Sequence, residues 1–81
     1  MSIKNLTNEQ LNEVAPNLSA IEYKGSILYV AYTIPTDEDI NEKGVIAVYI
    51  GNDYGADLEE YSYNDIRKNC TKLFKITQIN V

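Results

Sequence analysis

The densest cluster of groups able to do chemistry is Asp37, Glu38, Asp39, Asn41 and Glu42. Oxygen ligands at alternate positions are what a calcium loop uses, with Asp37, Asp39 and Asn41 in its first, third and fifth places. The sixth place requires glycine for its sharp turn and holds Glu42. The twelfth requires a bidentate glutamate and holds Val48. The run is read as the solvated tip of a hairpin, and no metal site is expected. Glu59, Glu60 and Asp65 are the next carboxylates to consider as an acid/base pair, but at this spacing they do not converge on one face of a helix. The chain has no histidine, so the commonest general base is missing, and its single cysteine, Cys70, cannot form a Cys/His nucleophile pair. Gly25, Gly44, Gly51 and Gly55 are scattered without a phosphate-cradling pattern and are read as turn residues. No catalytic residue and no cofactor is expected.

Composition narrows the partner classes. The 81 residues are one small domain, 44% apolar, with 7 basic residues against 12 acidic ones and a net charge of −5. That balance lacks the electrostatic footprint of a protein that grips phosphate backbones, so direct nucleic-acid binding is not expected. One cysteine closes no disulfide, which fits a reducing, cytoplasmic setting. No apolar run approaches the roughly 18 residues of a membrane span, and the first residues lack the pattern of a signal peptide. Ile, Asn, Tyr and Lys together make up 32 of the 81 residues, and these are the residues with the most AT-rich codons.

The elements that must position any site follow from local patterns. Thr7 and Gln10 form a capping box ahead of Leu11, Val14, Ala15 and Leu18 at helical spacing, and Pro16 stops or bends that helix near Val14. Ile21 and Tyr23 precede a break at Lys24-Gly25-Ser26. The apolar runs Ile27–Ile34 and Val45–Ile50 then read as two antiparallel strands around the acidic loop. Asp57 with Glu60 three residues on predicts a second helix over 57–69, its basic end at Arg67 and Lys68. Residues 73–79 read as a last strand. The expectation is an α+β fold, a small antiparallel sheet with two helices in the order α-β-β-α-β. One parity of the hairpin presents Leu28, Val30, Tyr32, Ile46, Val48 and Ile50, and the other presents Ile27, Tyr29, Ala31, Val45, Ala47 and Tyr49. Both faces are apolar, and the helices of a chain this short cover one. Self-association as a homodimer through the uncovered face is therefore one expectation.

The segments Leu11–Pro16, Val48–Asn52 and Leu58–Phe74 resemble a family of uncharacterised domains from low-GC Gram-positive bacteria and their mobile elements. In that family an acidic E-E-L-Y-like helix start leads to an A-x-x-N-T end followed by L-F-P. Glu60-Tyr61, Asn69 and Leu73-Phe74 match, whereas Ile66 stands in place of alanine, Cys70 in place of threonine and Lys75 in place of proline. The resemblance implies a fold and no activity.

The residues themselves suggest a small non-catalytic module that binds a protein with a basic surface. The expected contacts are Asp37, Glu38, Asp39, Glu42, Asp53, Asp57, Glu59 and Glu60, joined by Tyr54 in a turn and Tyr63 on an outward helix face. By analogy with small acidic phage and mobile-element products, such a surface could block a host defence or nucleic-acid enzyme. Cys70 is expected to be a small buried hydrophobe.

Overall fold

The computed structural model describes residues 2–51 and 57–75. Helix α1 spans Asn8–Val14, and its capping box is complete: the Gln10 N–H donates to Thr7 Oγ1 (3.1 Å) and the Thr7 N–H to Gln10 Oε1 (2.9 Å). Pro16 tightens the chain into a 3-10 turn over Ala15–Asn17, so α1 stops at Val14 as its proline requires. Leu11 and Ala15 point into the core.

Five antiparallel strands follow, β1 Leu18–Tyr23, β2 Ser26–Ile34, β3 Val45–Ile50, β4 Asp57–Ser62 and β5 Cys70–Lys75, in the spatial order β4-β3-β2-β1-β5. Helix α2, Tyr63–Asn69, links β4 to β5. The α+β class with a small antiparallel sheet is thus present, while the order is α-β-β-β-β-α-β. Two strands separate it from the expected order. Leu18, at helical distance from Leu11, instead opens β1, because Lys24 (φ 48°) and Gly25 (φ 83°) form a two-residue turn that pairs Tyr23 with Ser26. Residues 57–62 form a strand rather than the first turns of a helix. Six register pairs with β3, from Val45 opposite Ser62 to Ile50 opposite Asp57, satisfy their backbone on one side. The helix starts five residues later than the Asp57 cap implies, with the Asp65 N–H donating to Ser62 Oγ (3.2 Å).

β2 is the hinge of the sheet. Its first half pairs with β1 and its second with β3, and the register slips between Val30 and Tyr32, leaving Ala31 as a bulge. The sheet bends there. In a flat sheet β1 and β4, three spacings apart, would be separated by about 14 Å. Here Tyr23 of β1 stacks on Tyr61 of β4 with ring centroids 4.1 Å apart and planes 8° from parallel. The inner face so formed packs Ile21, Ile46, Val48 and Ile66 with Leu11, all fully buried.

A polar knot ties the parts together. Asn12 Oδ1 accepts from the Thr36 N–H (2.9 Å) and from the Tyr63 hydroxyl (2.8 Å), and Asn12 Nδ2 donates to the Thr36 carbonyl (3.2 Å). The Gly44 N–H donates to Thr36 Oγ1 (3.0 Å), and the Tyr63 N–H to the Gly44 carbonyl (3.2 Å). Gly44 is needed for space: a Cβ there would overlap the Tyr63 ring and lie 2.6 Å from Thr36 Oγ1. Gly44→Ala is expected to destabilise the fold by about 1–3 kcal/mol, the range for overpacking, read as a lower urea midpoint. A midpoint equal to that of the unchanged chain would contradict the packing.

Candidate functional site

The acidic loop is a closed hairpin tip. Asp37 and Glu42 exchange backbone hydrogen bonds of 3.0 and 2.8 Å, and Asn41 takes the left-handed conformation (φ 54°) that asparagine tolerates. The Asp39 N–H donates to Asp37 Oδ1 (3.0 Å), so the Asp37 carboxylate shapes the turn. Glu38, Asp39 and Glu42 are exposed. The loop stands beside the start of α2 across an open groove of about 320 Å³ whose walls include Asn8, Asp37, Glu42, Ser62 and Asn64.

The remaining acids divide between faces and edges. Asp57, Glu59 and Glu60 lie exposed on β4, an outer strand of the sheet. Neighbouring residues of a strand point to opposite faces, so Glu59 and Glu60 cannot act on one atom. Glu60 accepts from the Tyr32 hydroxyl (2.9 Å), and Glu59 from Tyr61 (3.3 Å). Asp65 accepts from the Tyr23 hydroxyl (2.9 Å) and from Asn69 Nδ2. Among the described residues no three His, Cys, Asp or Glu side chains gather closely enough to hold a metal ion. Asp53 and Tyr54 lie outside the described residues.

Tyr63 is not an outward contact residue. It is 4% exposed, with its ring against Gly44 and its hydroxyl on Asn12. The late start of α2 is the reason: with the first helical residue at 63, the buried face comprises Tyr63 and Ile66 and continues into Cys70 at the head of β5. Cys70 is buried and free, and burial pushes its thiol pKa up. The basic end of α2 is structural in part. Arg67 Nε donates to the Leu6 carbonyl (2.7 Å), and its two terminal nitrogens bond Asn64 and Asn8, which fastens the N-terminal segment to α2.

The outer face carries Ile27, Tyr29, Ala47 and Tyr49 of the hairpin's second parity. Phe74 pairs with Ala20, Ala20 with Tyr29, and Tyr49 with Leu58, and the register that joins Val30 to Val48 brings Tyr29 level with Tyr49. One row of apolar and aromatic side chains therefore crosses all five strands. Tyr29 is 67% exposed, Tyr49 49% and Leu58 47%, with Ile27 (57%) and Tyr32 (42%) on either side of the row. The bulge at Ala31 moves Tyr32 out of the inward parity and onto this face beside Tyr29. The other inward-parity residues Leu28, Val30, Ile46, Val48 and Ile50 belong to the core or pack against it.

Comparison with protein-family models, with curated proteins and with solved structures gives no match.

Burial, the hydrogen bond to Asp65 and the nearby negative charge push the Tyr23 phenol up to about 12 from 10.0. Burial also raises Tyr61 and Tyr63, and the Glu60 hydrogen bond raises Tyr32. The folded state thus favours neutral Tyr23. Its contribution to stability is complete below pH 10 and is lost as pH rises through about 12. Tyr23→Phe is expected to flatten part of the loss of stability over that interval in urea titrations at stepped pH. An unchanged slope would remove Tyr23 from the account.

Proposed function

We propose that this chain is a small non-catalytic binding module that engages a basic surface on another protein. The observation that carries the reading is the gathering of exposed acids along one margin of the fold. Asp57, Glu59 and Glu60 line β4, whose outer backbone groups have no strand partner among the described residues, and the acidic hairpin flanks the start of α2 near Ser62. Lys72 and Lys75 lie on the opposite edge strand. Such a margin steers a basic partner into register by long-range attraction, and the free edge of β4 can add a strand from it. Blocking the phosphate-binding cleft of a nucleic-acid enzyme is the narrower form of the same reading. The free, buried Cys70 fits a cytoplasmic setting. No helix among the described residues is long and apolar enough to cross a membrane.

The test is capture on the immobilised chain from a bacterial lysate at low salt. The expected result is a basic protein that is released as salt rises and is lost when Glu38, Asp39 and Glu42, or Asp57 and Glu59, are changed to lysine. All five side chains are exposed, and Asp37 is left in place to hold the turn. Equal retention of the same protein by both charge-reversed chains would sink the reading.

A further inference from the structure

We infer that β4 receives an extended basic strand running antiparallel to it, with lysine or arginine opposite Glu60, Glu59 and Asp57 and an apolar residue opposite Leu58. The inference rests on the basic-partner reading and names the segment of that partner which makes the contact.

Backbone comes first. One step beyond the Val45–Ser62 pair, the Tyr63 N–H donates to the Gly44 carbonyl (3.2 Å). Hydrogen-bonded pairs alternate along an antiparallel ladder, so Tyr61, Glu59 and Asp57 turn their backbone groups to β3, and Ser62, Glu60 and Leu58 turn theirs away. β4 ends the sheet order, and those N–H and C=O groups face no strand among the described residues. Free donor and acceptor pairs at every second residue are the template for an added strand. Addition at an edge also follows the curl of the sheet, so no convex surface has to meet another.

Side chains set the sequence of the occupant. Residues directly opposite one another in an antiparallel pair share a face. By register Leu58 and Glu60 lie with Tyr49 and Ala47 on the outer face, and Asp57 and Glu59 lie on the other. All four are exposed, so acids project from both sides of the edge. Counted from the Ser62 end, the incoming strand therefore reads basic, basic, apolar, basic. Its apolar residue extends the outer row that ends at Leu58, 47% exposed. The Tyr32 hydroxyl holds Glu60 through Oε2 (2.9 Å), and the Tyr61 hydroxyl holds Glu59 through Oε2 (3.3 Å). A carboxylate accepts on both oxygens, so each acid is positioned and still able to take an ammonium or guanidinium. β5 of a second copy meets this edge less well. With Lys75 set on Asp57 it places Leu73 on Glu59, and its Lys72 already stands opposite Glu22.

Titration of the whole chain at low salt with the capped peptide Thr-Thr-Lys-Lys-Val-Lys tests this. On binding, the amide hydrogens of Leu58 and Glu60 should become slow to exchange. Methylating the backbone nitrogen of the first lysine or of the valine, which face Glu60 and Leu58, should weaken binding by about tenfold, whereas methylating the second lysine, whose N–H points away, should change it by less than about twofold. Glu59→Lys should also cost about tenfold, and a peptide with glutamate in place of the second lysine should restore binding to that variant within a few-fold. Circular dichroism identical to that of the unchanged chain keeps this rescue apart from a loss of fold. Equal effects of methylation at all three positions, or a failed rescue, overturn the inference while leaving a basic partner in place. No binding by any of these peptides overturns it as well, and the lysate capture then decides the basic-partner reading separately. Sedimentation at twice the 9.2 kDa of one chain without peptide, with the Leu58 and Glu60 amides already protected, assigns the edge to a second copy and overturns it too.

Discussion

Everything in this fold depends on the bend of β2 at Ala31. A nine-residue strand shared by two halves of a sheet lets β1 and β5 fold toward β3 and β4, and the slip of one residue decides which side chains face inward on each half. Before the slip, Leu28 and Val30 face in and Tyr29 faces out. After it, Thr33 follows Ile46 inward and Tyr32 joins Tyr29 outside. Without the slip Tyr32 would be turned into the core and Thr33 would be turned out. The Tyr23–Tyr61 stack is the visible result, two rings from strands three spacings apart in contact on the inner face. The bend thus makes a closed core from few residues and, by the same displacement, assembles an aromatic outer face.

The polar knot around Asn12 does for the ends of the chain what the bend does for its middle. Asn12 comes from α1, Thr36 and Gly44 flank the acidic hairpin, and Tyr63 opens α2. The hydrogen bonds between them join part-buried groups from three separate segments, and leaving one such group unpaired costs more than the bond itself contributes. Arg67 supplies a second tie, from α2 to the segment before α1. The acidic hairpin is therefore held at its base and free at its tip. That is a suitable mount for charges that act at a distance.

The parts of this structure legible in the sequence are those encoded locally. Thr7, Gln10 and Pro16 mark both ends of α1 because capping and proline geometry depend on neighbours within a turn. The runs around Val30 and Val48 mark the central strands, since strands buried on one face and partly covered on the other are apolar throughout. Asp57-Leu58-Glu59-Glu60 satisfies the signature of a helix start equally well, and only its pairing with β3 decides for a strand. On an edge strand exposed on both sides, the alternation that would announce a strand is largely absent. The burial of Tyr63 was hidden for the same reason, because its direction depends on the residue at which α2 begins. Leu18 shows the converse: its spacing from Leu11 mimics a helix, and the signal that places it in a strand is the Lys24-Gly25 turn six residues on. The exposed acidic tip was legible because a polar hairpin loop needs no tertiary partner.

The two edges of the sheet carry charges of opposite sign. Sheets with exposed edges extend by adding strands, and charged edges are a common safeguard. Here the safeguard is signed: Asp57, Glu59 and Glu60 on one edge, Lys72 and Lys75 on the other. Like edges repel. Alternate residues of an edge strand point to opposite faces, so of these charges only Glu60 and Lys72 reach the outer face, where Lys72 stands directly opposite Glu22. Charge at the edges therefore guards against pairing of like strands, whereas β4 of one copy against β5 of another would set opposite charges together.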